Sequence, residues 1–190
     1  MSISRFPVAT LENLPDDLRE RVGAIQAKAG FVPNVFLVLG HRPDELRAFM
    51  DYHDALMLRE GGLSKAEKEM IVVAVSGANN CLYCVVAHGA ILRIYEKDTQ
   101  VADKVAINYR KAGLPARQRV MLDFALKVGL RAQEIDEADF EALEAEGFSQ
   151  DDAWDIGAIS AFFSLSNRMA NMTGMKPNDA FYLMGRQPRG

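Results

Sequence analysis

Apolar side chains recur at three- and four-residue intervals along most of the chain, the spacing that places them on one face of an α-helix. The clearest stripe is Leu46, Phe49, Met50, His53, Leu56 and Met57, in a segment opened by Pro43, running to about Glu60 and ended by Gly61-Gly62. Pro15-Asp16-Asp17 puts proline and acids in a first turn, and Gly30 can close that helix. Residues 33–40 read as a short apolar helix ended by Gly40. Ser64-Lys65-Ala66-Glu67 is a capping box that launches a helix over residues 67–78. Asn79-Asn80 interrupts it, and Asn80 reads as the N-cap of a helix over 81–95. Further helices are expected over 99–112, 115–128 and 136–146. The last long one starts at the cap Ser149-Gln150-Asp151-Asp152 and runs to about 172.

Strand signals are scarce: no period-two run of β-branched residues stands between turn residues, and there is no Asn-Gly or Asp-Gly hairpin. The pattern predicts an all-α fold, a helical bundle of about eight helices. Its length of 190 residues suits one domain over 1–190. Within it, residues 63–95 form a helical hairpin. Residues 176–190, with two of the seven prolines, are expected to be a partly ordered C-terminal extension. A faint repeat at an offset of 85 aligns Leu63-Ser64 and Glu67 with Phe148-Ser149 and Asp152, and Cys81 with Ser166. An internal duplication and two similarly capped amphipathic helices explain it equally well.

Composition narrows the function classes. With 22 Lys and Arg against 26 Asp and Glu, the net charge of −4 gives no electrostatic case for nucleic acid or an anionic membrane. The opening MSISRFPVATLENLP has no apolar run of signal-peptide length, and the longest apolar stretch, residues 70–78, falls short of the ~18 residues of a membrane span. A cytoplasmic protein is expected. In that compartment thiols stay reduced, so the two cysteines, three residues apart, point to catalysis or metal binding rather than a structural staple.

Cys81, Cys84 and His88 stand at i, i+3 and i+7, on one face of a helix with Cys81 near its start. Unpaired N–H groups at a helix N-terminus stabilise a thiolate. The spacing lets one sulfur attack and the other resolve to a disulfide. His88 can take a proton from Cys84, directly or through a water. Glu69, twelve residues before Cys81, can approach this cluster if the Asn79-Asn80 break folds the two helices back on each other. On spacing alone its plainer reading is an exposed acid paired with Lys65 or Lys68. Tyr83 can donate a hydrogen bond, although simple packing explains it as well. Two cysteines fall short of a four-thiolate zinc site, though a mixed site with His88 and a carboxylate or His53 stays open. Covalent haem attachment is excluded because Val85 follows Cys84.

The pattern Glu69, Cys81, Cys84, His88 within LSKAEKEMIVVAVSGANNCLYCVVAHGA resembles the alkylhydroperoxidase D-like family of the carboxymuconolactone decarboxylase superfamily. Val32-Pro33-Asn34 and Asn167-Arg168-Met169-Ala170 resemble its longer, peroxidase-related branch. The resemblance implies an all-α fold assembled as a homo-oligomer, a hydroperoxide substrate and no cofactor or metal. It implies that Cys84 attacks the peroxide, that Cys81 resolves the sulfenic acid, and that Glu69 and His88 relay protons. An external dithiol reductant, lipoylated or thioredoxin-like, would restore the thiols. One departure stands out: Tyr83 occupies a position where peroxidase-active members often carry a second histidine. The alternatives are a decarboxylase acting on a cyclic lactone acid, with Arg168 as carboxylate partner, and a non-catalytic disulfide redox sensor.

Overall fold

The structure is a computed structural model and describes residues 2–186. Ten α-helices and three short 3-10 turns, with no strand among the described residues, make the chain an all-α bundle. In chain order the helices are α1 (Asp16–Ala29), α2 (Asn34–Leu39), α3 (Pro43–Met57), α4 (Lys65–Ala78), α5 (Leu82–Glu96), α6 (Val101–Asn108), α7 (Ala116–Arg131), α8 (Glu137–Ala145), α9 (Gln150–Thr173) and α10 (Asp179–Leu183).

The bundle is built around α4. Its unbroken run Met70–Val75 is buried all round, with α5, α6, α7 and α9 packed on its sides. An all-apolar helix surface needs such enclosure, because no face of it suits water. The expected capping box is formed: Glu67 N–H donates to Ser64 Oγ (3.1 Å), and Ser64 N–H donates to the Glu67 carboxylate (2.9 Å). Gly77 is required by a close crossing, since a Cβ there would lie 2.3 Å from the Ala106 carbonyl oxygen of α6.

Lys68 explains how α3 is held beside α4. Its fully buried ammonium donates to the carbonyls of Leu56 (3.0 Å), Met57 (3.5 Å) and Arg59 (2.6 Å). The first two are carbonyls that the C-terminus of α3 leaves without helical partners, the third lies just beyond it, and the cation also complements the dipole. The link fixes the C-terminal half of α3, and with it His53, against the α4–α5 hairpin.

The break between α4 and α5 falls where the sequence placed it, but its cap is different. Asn80 adopts a left-handed conformation (φ 51°), which asparagine tolerates, and turns the chain. Cys81 is the N-cap of α5, and its sulfur accepts the Cys84 N–H at 3.3 Å. The repeat is visible in the caps, since Ser149 and Asp152 form a second capping box. Beyond it α9 runs straight through 24 residues, with no counterpart of the Asn79-Asn80 break.

As far as residue 186 the C-terminal segment is packed on the bundle. Phe181 is buried, and the Arg93 guanidinium of α5 donates to the carbonyls of Met184 and Phe181 (3.0 Å each). Asn34 N–H donates to Asn178 Oδ1 and Asn178 Nδ2 donates to the Val32 carbonyl (2.9 Å each), so the Val32-Pro33-Asn34 stretch is laced to this tail. The remainder of the expected extension, residues 187–190 with Pro188, lies outside the described residues. No helix among the described residues is long and apolar enough to cross a membrane.

Candidate active site

Antiparallel packing of α4 and α5 brings Glu69 to His88. The His88 Nδ1 to Glu69 Oε2 distance is 2.8 Å, and both side chains are largely buried. Glu69 is therefore no surface acid paired with a neighbouring lysine: the fold turns it inward, and Lys68 is occupied with main-chain carbonyls. With Nδ1 held by the carboxylate, Nε2 is the nitrogen left for the cavity that His88 lines. The Phe163 ring packs edge-on against the imidazole, with centroids 4.7 Å apart.

The two cysteines are reduced and fully buried, their sulfurs 2.8 Å apart. Only Cys84 lines the cavity. Their acidities diverge for one shared reason. A proton on Cys84 donated to Cys81 stabilises the Cys81 thiolate and lowers its pKa to about 7. Burial opposes this, while the Cys84 N–H, the Asn167 side chain and the charge of His88 add to it. The same sulfur–sulfur bond, then burial, pushes Cys84 upward against smaller contributions from Asn167 and Ser166. The low-pKa thiol is thus the enclosed one, and the cavity-facing thiol keeps its proton. Thiolate absorbance near 240 nm should rise with pH around a midpoint near 7, below the ~8.5 of free cysteine. Cys84→Ala, which removes the donor, should raise that midpoint; an unchanged midpoint would remove the sulfur pair as its cause.

The cavity has a volume of about 290 Å³. Phe36, Phe49, Ile91, Phe163, Phe181 and Met184 give it an apolar wall, and its polar groups are Tyr83, Cys84 and His88 of α5, His53 and Asp54 of α3, and Ser166 of α9. Such a site accepts a molecule with an apolar body and one reactive end. The Tyr83 hydroxyl accepts the Val35 N–H (3.1 Å), which keeps its own proton for the cavity, and burial raises its pKa. Tyr83 therefore ties α2 to α5 and can donate to a bound oxygen.

The structure groups Glu69, Cys81, Tyr83, Cys84 and His88 around the α4–α5 hairpin, Glu69 against the lysine-paired reading that its spacing favoured. Three further polar side chains stand at the site that helical spacing alone did not mark. His53 was read as part of the buried α3 stripe and as a possible metal ligand. It lines the cavity with Nδ1 2.9 Å from Asp54 Oδ1, Asp54 in turn accepts from Arg21 (2.7 Å), and burial lowers the His53 pKa. Ser166 lies beside Cys84, at the position the offset-85 repeat aligned with Cys81. Asn167 is buried, donates to Ser76 Oγ (2.9 Å) and accepts from Asn79 Nδ2 (3.1 Å), clamping α9 to the hairpin turn under the thiols. Among the described residues no group of three or more His, Cys, Asp and Glu side chains is arranged to hold a metal ion.

Residues 43–108 match the model of the carboxymuconolactone decarboxylase family. The fold superposes on the alkylhydroperoxidase AhpD core of an uncharacterized peroxidase-related protein from Ralstonia eutropha JMP134, with 68% identity over 100% of both chains and a TM-score of 0.98. This chain is an alkylhydroperoxidase D-like member of the carboxymuconolactone decarboxylase superfamily. An uncharacterized peroxidase-related protein from Silicibacter sp. TM1040 is a further relative of this D-like protein, with 43% identity over 98% of this chain and 100% of its own, and a TM-score of 0.90. The debrominase Bmp8 shares the fold alone, at 20% identity over 97% of this chain and 98% of its own, with a TM-score of 0.78. No curated protein matches the chain.

Proposed function

We propose that this alkylhydroperoxidase D-like protein is a thiol-dependent hydroperoxide reductase, with Cys84 as nucleophile and Cys81 as resolving thiol. The observation that carries this reading is the position of Cys84: it faces an apolar cavity, 2.8 Å from a second, more acidic thiol and on the same helix as the Glu69-supported His88.

The steps follow from that arrangement. The Cys81 thiolate takes the Cys84 proton across the 2.8 Å gap, and the Cys84 sulfur attacks the terminal oxygen of a bound R–O–O–H. The O–O bond breaks, Cys84 becomes a sulfenic acid, and the leaving alkoxide takes a proton from His88 Nε2. Cys81 then attacks the Cys84 sulfur, and its proton leaves with the hydroxyl as water. An external dithiol, lipoylated or thioredoxin-like, reduces the disulfide and supplies two protons, one to Cys84 and one to His88, so that Cys81 is again the thiolate. Glu69 balances the positive charge while His88 carries a proton. Tyr83 holds the peroxide oxygen in line with Cys84. The mobile proton between the sulfurs answers the competing claims of the two thiols, since access favours Cys84 and acidity favours Cys81.

The decarboxylase alternative finds no support here. The cavity lining contains no Lys or Arg, and Arg168 is exposed on α9 with its guanidinium on the Ser164 carbonyl (2.7 Å). The test is consumption of an organic hydroperoxide with excess dihydrolipoamide, and separately with reduced thioredoxin. Consumption of many equivalents per chain with either donor is the expected result. Oxidation that stops at one equivalent with both would instead indicate a redox sensor.

A further inference from the structure

The longest helix carries a surface that the redox chemistry does not use. Among the positions of α9 open to solvent, Asp151, Trp154, Ala158, Ala161, Leu165 and Arg168 share one face, Ala158 only partly open, with Gln150 and Met172 at its two ends. Their separations are three, four, three, four and three residues, the spacing that draws a single seam along a helix and pairs it with another helix. Trp154 is 74% exposed and Leu165 54%, large apolar groups standing in water on either side of the small Ala158 and Ala161. The flanks are occupied: Phe49 and Tyr52 of α3 pack on Phe162 on one side (ring centroids 4.8 and 5.4 Å), and Phe124 of α7 approaches Gly157 on the other. The cavity residues Phe163 and Ser166 lie on the opposite face of the helix.

We infer that this seam is a two-fold interface between two copies of the chain, with α9 packed antiparallel on α9. The argument is the self-complementarity of the six positions. In an isologous contact residue i meets residue j while j meets i, so the numbers of facing residues have a constant sum. A two-fold axis between residues 159 and 160 pairs Ala158 with Ala161, Trp154 with Leu165 and Asp151 with Arg168, each pair summing to 319. The two alanine pairs at the centre let the helix axes approach. Outward on each side a tryptophan meets a leucine, and at each end an acid meets a base. A parallel pairing would set Asp151 against Asp151 and Arg168 against Arg168, so charge selects the antiparallel arrangement. Within its own chain the Asp151 carboxylate lies 3.5 Å from Arg59, whose closer partner is Asp155 at 2.9 Å, and Arg59 stays paired when Asp151 is changed.

The chain contains one tryptophan, and it is Trp154, so intrinsic fluorescence reports this seam alone. On dilution of the wild-type protein the emission should move to longer wavelength in the concentration range where sedimentation shows the assembly dissociating. D151R and R168D should each raise the dissociation constant by about tenfold or more, because each reversal places like charges together twice in the dimer. D151R/R168D should recover to near the wild-type value. All six positions are solvent-facing, so far-UV circular dichroism should be unchanged in every variant, which separates a lost interface from lost folding. A wild-type protein that stays monomeric, with Trp154 emission independent of concentration, would overturn the inference. So would an assembly of any size whose dissociation ignores both single reversals, or one that the double variant fails to restore.

Discussion

Cys84→Ser should lower hydroperoxide consumption by a factor on the order of a thousand or more, with the fold intact. Serine is close to cysteine in size and can keep the hydrogen bond to Cys81, so the change removes the nucleophile with little disturbance of the packing. Cys81→Ser separates attack from resolution. That variant should react with one equivalent of peroxide and stop, leaving Cys84 as a trappable sulfenic acid, because no second thiol lies within reach. It should also react more slowly in the first step, having lost the thiolate that accepts the Cys84 proton. The check is stopped-flow peroxide consumption with dimedone labelling of each variant. If Cys84→Ser forms a labelled sulfenic acid at Cys81 while Cys81→Ser stays unmodified, the two roles are reversed.

Glu69→Gln should slow the first oxidation by about ten- to a hundredfold without unfolding the protein. Glutamine preserves the size of the side chain and can hold the His88 ring, but it removes the negative charge 2.8 Å from Nδ1 that balances a proton on the imidazole. Glu69 is 6% exposed, so neither water nor salt can stand in for that charge. Peroxide affinity should stay close to the wild-type value because Glu69 is not among the residues that line the cavity. The result should therefore be a loss in the rate constant at saturating peroxide rather than in the concentration needed for half-saturation. A loss confined to half-saturation would make Glu69 a packing residue.

Local signals carried most of the fold and of the thiol centre. Ser64 with Glu67, Ser149 with Asp152 and the Gly30 stop are fixed by nearby hydrogen-bonding groups, which a sequence displays directly. Cys81, Cys84 and His88 belong to one helix and its cap, so helical spacing alone put them on one face. Glu69 needed tertiary information. Its spacing favoured a lysine pair, and the antiparallel closure of α4 on α5 decided the matter. The far wall of the cavity was harder to read. His53 sits in an apolar stripe, where a histidine looks like any other buried side chain until α3 is docked through Lys68. Phe181 and Met184 come from a tail that composition marks only as a partly ordered extension. It is anchored by Arg93, an interaction across 88 residues of sequence that no local pattern reveals. The cap at Cys81 was misplaced by one residue, because a cysteine is an uncommon N-cap and Asn80 looked better by propensity.

Intact-protein mass spectrometry after one equivalent of an organic hydroperoxide, without reductant, tests the central claim most directly. The account predicts that the wild-type chain loses two hydrogen atoms, that peptide mapping places the new bond between Cys81 and Cys84, and that dihydrolipoamide restores the original mass. A wild-type chain that keeps both thiols while peroxide remains or disappears would contradict it.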